Sequence, residues 1–454
     1  MAYYILKQYE LRSSPWQIFS ALSPGRHSFF LDSSLSRQAQ GRYSFLGSGP
    51  FSILKGDKPG IFCRLADLLS RYKIYASRTD IPFLGGAVGY LAYDLGLRLE
   101  EKVIPKKKTD SPAPGYYFAF YNKALIIDHL KKKVYIFACG FPEKNRRLNR
   151  LLAQENAGSL AGTLACAEKY ASGGKGVRSG LKPVVLSSSF SKNGYIAAVK
   201  KAKEYIKAGD IYQVNLSQEF SARSTLPAID IYARLRRLSP AHFSAYLDCG
   251  VFQILSSSPE RFLQARGRHV FTRPMKGTRP RARDKLSDIR LKEELIASRK
   301  DKAELMMIVD LERNDLGKVC SYDSVRVKRL RCVESYRTVY QTTAVISGKL
   351  YPGKDRIDLL RACFPGGSIT GCPKIRSMQI IEELEPHRRG IYTGCLGYLS
   401  FNGNMDFNIL IRSILMAGNK ISFGAGGGIV ADSLPGKEYE ETLVKARAMK
   451  EALS

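Results

Sequence analysis

Two side chains are best placed to do chemistry. One is Lys276 in PMKGTRPR (274–281), and the other is Glu260 in SSSPERF, sixteen residues upstream. A lysine that has lost its proton attacks carbon. A carboxylic acid that keeps its proton can give it to a departing hydroxyl. Taken singly, Lys276 reads as a nucleophile or as a structural or surface cation. The spacing does not fix whether it meets Glu260, because the turn between them is unknown.

Other residues could support such a pair. Glu304 lies among Leu305, Met306 and Ile308, so its carboxylate wants a cation, a donor or solvent. Metal ligation and an ordinary salt bridge are both open. Glu438 and Glu441 are three residues apart in a helical pattern and share a face. Carboxylates from two helices in one cleft would suit a Mg2+ ion that keeps waters. GAGGGIVADS (424–433) is either an anion cradle or a tight turn, and the turn is the simpler reading. Arg412 interrupts the apolar run ILIRSIL, read as a strand, and needs an anion there, from substrate or protein. FPGGSITGCPK (364–374) is a similar glycine loop without the Walker A ending.

Composition bounds the rest. The chain has 454 residues and a net charge of +31. Its basic residues are spread out and come without a zinc finger, a recognition helix or an RNP-like motif. A solvated basic surface is therefore favoured over nucleic-acid binding. The nine cysteines lack metal or disulfide spacing, and five histidines make a histidine triad a poor fit. No apolar run reaches the ~20 residues of a membrane span, and the N-terminus does not read as a signal peptide. The expected location is the cytoplasm.

The elements that must position these groups are partly legible. Alternation on either side of a basic turn predicts a hairpin over 123–140, and Tyr212, Val214 and Leu216 predict a strand over 211–222. Helices are expected after Ser191, over 298–317 and over 436–453. FLGGAVGYLAYDLG reads as a turn into a strand, and its GGAVGYLAY echoes TGCLGYLSF (393–401). That echo fits either related halves or coincidence. Residues 1–165 form an N-terminal region of short strands with some helix. Residues 166–190, rich in Gly, Ser and Lys, are read as a linker, and 191–454 as the catalytic region.

Seven segments, in order, resemble the chorismate-utilising enzymes: GDIYQVNLSQEF, SSSPERF, PMKGTRPR, DKAELMMIVDLERNDLG, FPGGSITGCPKIRSMQIIEELEP, GCLGYLSFNGNMDFNILIRS and GAGGGIVADS. LDSS (31–34), GRYSFLG (41–47) and FLGGAVGYLAYD extend the resemblance less specifically. It implies an α+β fold of two facing, largely antiparallel sheets with helices outside and the active site between the sheets. Within the family, lysine in PMKGT resembles aminodeoxychorismate synthase component I, where anthranilate synthase component I carries alanine. Gln213 resembles the ammonia-using branch, since water-adding relatives place a lysine base there.

The resemblance implies roles. Lys276 would attack C2 of chorismate while Glu260 protonates the leaving C4 hydroxyl, and ammonia would then expel the lysine. Glu304 and Glu441, with Glu438 beside them, would hold Mg2+ against the ring carboxylate. Gln213, Gly277, Thr278, Tyr392, Arg412, Gly426, Gly427 and Gly428 would bind chorismate. Ammonia would come from a glutamine amidotransferase subunit, because no glutaminase set is recognisable. Two residues depart from the pattern: Gln341 stands where a histidine is frequent, and Cys372 replaces an alanine before Pro373. Whether Ser34 and its neighbours form the tryptophan site of some relatives is open.

Overall fold

Alternation along the strands sorts side chains to two opposite faces. Phe29 belongs to the core between two sheets, whereas its neighbour Phe30 packs beneath helices. Ile126 and Leu125 divide in the same way. The computed structural model describes all residues except 1–2, 23–24, 36–40, 76–78, 106, 108–110, 170–183, 283 and 337–338. Among the described residues, a twelve-stranded and a ten-stranded sheet are present, and all their strand pairs are antiparallel. Helices Pro15–Ala21, Arg146–Lys169, Ala228–Leu238 and Pro435–Ala452 cover the outer face of the larger sheet. This is the α+β arrangement of two sheets with outer helices.

Both sheets draw strands from both ends of the chain. Phe29–Asp32 pairs with Phe243–Asp248, and Gly86–Leu91 pairs with Cys395–Ser400. The last pair contains the two echoed segments, with Gly89 opposite Gly397. A Cβ on either glycine would lie about 2 Å from a neighbouring strand's carbonyl oxygen (1.9 Å from Tyr117 O, 2.0 Å from Asp406 O), so side chains are excluded. The 123–140 hairpin forms as Lys123–Asp128 against Lys133–Cys139. The helix Arg146–Lys169 was not foreseen. Its apolar positions are diluted by Asn149, Asn156 and glycines, which hide the helical stripe. Most of the segment read as a linker (166–190) lies outside the described residues.

Two sequence readings are corrected here. GAGGG is no turn, because it forms part of strand Lys420–Ile429, paired with Gln213–Arg223. The run ILIRSIL is not one strand. Met405–Ile409 belongs to the smaller sheet and Ser413–Ala417 to the larger, and Arg412 sits at the crossover with φ 51°.

One buried ion pair ties these parts together. Arg389 donates to the Glu385 carboxylate, to Asn215 O at 2.7 Å and to Ile369 O at 2.9 Å. Glu385 also accepts from the Ser217 amide and hydroxyl, both at 2.8 Å. Replacing Arg389 by Met leaves the Glu385 charge buried and unpaired. We expect chemical denaturation to show a loss of roughly 3–5 kcal/mol.

Candidate active site

The smaller sheet's edge strand Met275–Pro280 brings Lys276 toward the larger sheet. Its pairing with Val339–Lys349 slips between Lys276 and Thr278. Gly277 absorbs the slip with φ 73°, and a Cβ there would lie 3.0 Å from Asp301 and Leu295. The bulge thus needs glycine to aim its neighbour. Thr342 donates a hydrogen bond to the Lys276 carbonyl, and Gln341 Nε2 donates to Thr278 Oγ1 at 3.3 Å. Across the gap, a Cβ on Gly428 would lie 3.3 Å from Lys276 Nζ and 2.7 Å from Gln213 Nε2. The absent side chain leaves room for the amine and the amide to share one place.

Charge behaves unusually in this place. Burial pulls the Lys276 ammonium below its ordinary pKa. Glu304, Glu260 and Glu441 oppose that pull, and the nearby Lys445 adds to it. Glu260 is 5% exposed, and its Oε1 has no hydrogen-bond partner among the described residues. Burial pushes this carboxyl up to about 7, although Ser368 and the positive charge of Lys276 work against it. Its backbone is fixed, since Glu260 O accepts from the Ile409 amide at 3.1 Å. Gln213 is fully buried, and neither its Nε2 nor its Oε1 has a partner among the described residues. A buried, unsatisfied amide is costly in a protein interior, so it marks a place where a ligand belongs.

Carboxylates also gather within electrostatic reach of Lys276. A Cβ on Gly427 would lie 3.3 Å from Glu438 Oε2 and 3.5 Å from Glu441 Oε1. Glu304 and Glu438 are both raised, chiefly by burial, and each carries added repulsion from a neighbouring acid. Burial would also raise Glu441, yet Lys445 at 2.7 Å holds it below its usual range. Lys300 lies 3.8 Å from Glu304. Among the described residues, no three acidic, His or Cys groups close around one point tightly enough to hold a metal by themselves. The donors still suit a hard cation: all are oxygen, Glu304 and Glu438 are largely out of water, and neighbouring acids repel one another. A Mg2+ ion that keeps waters and takes substrate oxygens needs only one or two protein carboxylates.

The remaining residues surround this centre unevenly. Gly426 is packed against Leu216 O, which a Cβ would meet at 2.5 Å, so its role in packing is clear. The Tyr392 ring occupies the space a Gly424 side chain would take. Arg412 is drawn below its ordinary pKa by burial, and it has no carboxylate partner among the described residues. That leaves the anion it needs to come from a ligand. Thr278 is more exposed than its neighbours. Lys374, at the end of the glycine loop, is committed to Asp315 and to Cys363 O at 3.2 Å. The Ser34 hydroxyl bonds Ala241 O at 3.1 Å and Ser244 Oγ at 2.8 Å. Two neighbours of the centre were not singled out. Lys445 lies four residues from Glu441 on one helix face, a readable signal, whereas Ser368 arrives by a long-range loop that spacing does not announce.

The model of the family described as chorismate binding enzyme matches residues 27–451. The chain belongs to this family. Anthranilate synthase component 1 of Thermus thermophilus is 38% identical over 93% of this chain and 92% of its own length. Aminodeoxychorismate synthase component 1 of Bacillus subtilis is 36% identical over 96% of this chain and 94% of its own. The crystal structure of anthranilate synthase component I from Streptococcus pneumoniae superposes with a TM-score of 0.78 at 30% identity, covering 92% of this chain and 94% of that one. This member of the chorismate-binding family therefore has the family's two-sheet fold. Among its described residues, no helix is long and apolar enough to cross a membrane.

The raised Glu260 carboxyl has a stability consequence. The unfolded chain ionises it from about pH 4.5, while the folded chain keeps the proton to about pH 7. The native state thus binds more protons in that window, and stability falls as pH rises through it. Glu260→Gln should match the parent's melting temperature at pH 4 and exceed it at pH 8, as read by scanning calorimetry.

Proposed function

We propose that the protein is an aminodeoxychorismate synthase component I, which aminates chorismate to 4-amino-4-deoxychorismate. The observation that carries this reading is the desolvated Lys276 amine beside the gap at Gly428, within electrostatic reach of a buried, readily protonated Glu260. Named relatives of both the aminodeoxychorismate and the anthranilate type have similar identity, so identity alone does not choose between them. The lysine at this place favours the aminodeoxychorismate reading, because it offers a nucleophile where anthranilate synthases are expected to carry alanine.

The steps balance in atoms and charge. Lys276 Nζ forms a bond to C2 of chorismate, both ring double bonds shift, and the C4–O bond breaks. Glu260 protonates the departing hydroxyl, which leaves as water. Ammonia then bonds to C4, the double bonds shift back, and the C2–N bond to Lys276 breaks. The proton shed by the new ammonium restores Glu260. One hard displacement is split into two allylic ones. The neutral form of Lys276 is required for the first bond, and burial favours that form.

Arg412 and the Tyr392 hydroxyl are suited to substrate carboxylate, and the backbone at Gly426, Gly427 and Gly428 lets the ring approach closely. The unsatisfied Gln213 amide can orient incoming ammonia without acting as a base for water. Glu304, Glu438 and Glu441 would hold Mg2+, which, when bound, would fix and neutralise the ring carboxylate. Ammonia would come from a separate glutamine amidotransferase subunit. The product would serve 4-aminobenzoate and folate synthesis in the cytoplasm after a separate lyase acts. An anthranilate synthase component I is the second reading, favoured by the first relative described above.

The deciding experiment incubates the protein with chorismate, Mg2+ and ammonium, with and without added aminodeoxychorismate lyase. The expected result is 4-aminobenzoate only when lyase is present. Anthranilate with pyruvate release, independent of lyase, would overturn the reading. Lys276→Ala should lower aminodeoxychorismate formation on the order of a hundredfold. Chelation should abolish turnover reversibly, and Glu304→Gln or Glu441→Gln should raise the Mg2+ concentration needed for half-maximal rate.

A further inference from the structure

A second buried carboxyl lies behind Glu260. Glu312, on helix Arg299–Gly317, is 2% exposed. Its Oε2 accepts from Thr272 Oγ1 at 3.2 Å. Its Oε1 faces the short helical turn Gly367–Ile369, since a Cβ on Gly367 would lie 3.5 Å from it. The next residue of that turn, Ser368, is buried against Glu260, and the Ser368 hydroxyl and Glu260 Oε1 both lack a geometrically good hydrogen bond. The order in space is Thr272, Glu312, the turn with Ser368, then Glu260. Asp315, one turn further along the helix, is already neutralised by Lys374 and by Lys318 at 2.9 Å. Those cations are therefore spent, and Glu312 has no ion-pair partner among the described residues.

We infer that Glu312 is a positioning residue that must stay uncharged to hold the Ser368 turn against Glu260 and to let Glu260 release its proton. This inference rests on Glu260 being the general acid. When Glu260 gives its proton to the leaving hydroxyl, a buried anion forms. A neutral Glu312 tolerates that anion, whereas a charged one would repel it through a water-poor interior. Thr272 already occupies Oε2, so the proton of Glu312 belongs on Oε1, toward the turn.

The surroundings agree with an uncharged Glu312. Burial pushes it up to about 8, with Asp315 and Glu260 adding to the rise, while Lys374 and Thr272 oppose it. The Cys363 thiol beside it is held far above its usual range and stays neutral. On the Glu260 side, the facing charges are Lys276 and Lys445.

The test is the pH profile of kcat at saturating chorismate, with free ammonia held constant from about pH 6 to about pH 9. The wild-type alkaline limb should fall with two protons, one from each carboxyl. Glu312→Gln keeps the shape and removes the charge, so its limb should fall with one proton. It should also recover most of the activity that Glu312→Leu loses, which we place at roughly tenfold. Melting curves across the same pH range give a second measurement if Glu312→Leu folds poorly: Glu312→Gln should gain stability over wild type as pH rises. A one-proton limb in wild type, or a two-proton limb retained in Glu312→Gln, would overturn the inference. Failure of the Glu260 assignment looks different, because Glu260→Gln would then keep its turnover.

Discussion

Removing water from one amine is the constraint on which the rest of this structure depends. Lys276 sits where a strand of the smaller sheet leans over the glycines of the larger one. Burial there weakens the solvation that ordinarily holds its proton. The same loss of solvent keeps a proton on Glu260. A base made weaker and an acid made weaker are then compatible in one place: neither needs the other's charge. In water the pair would exchange a proton and form an inert ion pair. Burial works against that exchange from both sides, and the two-sheet fold supplies the burial.

The fold delivers this dryness through backbone rather than bulk. Gly428 has no side chain, so the strands approach closely enough for Gln213 and Lys276 to converge. Gly277 takes a left-handed conformation so that a bulge can aim the lysine. Behind them, the Arg389–Glu385 pair anchors both the strand that carries Gln213 and the segment that carries Tyr392. The Glu385 carboxylate and the Arg389 guanidinium are well paired. The unpaired side-chain atoms of Gln213 and Glu260, and Arg412 without a carboxylate partner among the described residues, belong to the proposed ligand site.

Much of this was legible in the sequence, for identifiable reasons. The helices over 298–317 and 436–453 carry serine or proline starts and a regular spacing of acids, so Glu304, Glu438 and Glu441 could be placed on helices beforehand. Lys276 and Glu260 stood out because prolines restrict the backbone near both, while Gly277 frees it beside the lysine. What stayed hidden depends on long-range packing. Four glycines in five residues suggest a turn locally, yet they form a strand because Gln213–Arg223 pairs with them. Arg412 seemed to interrupt one strand, whereas it marks the step between two sheets, which no local pattern encodes. Glu312 and Ser368 are unremarkable in sequence and gain meaning only when the turn is folded against Glu260.

The most direct test of the account is to look for the bond it requires. The protein is mixed with chorismate in the absence of ammonia, quenched in acid within the first turnovers, and its peptides are read by mass spectrometry. The account predicts an adduct of chorismate minus one water on the peptide that contains Lys276, absent from the Lys276→Ala variant. Full aminodeoxychorismate activity on ammonium with no such adduct, or an adduct that survives the loss of Lys276, would contradict it.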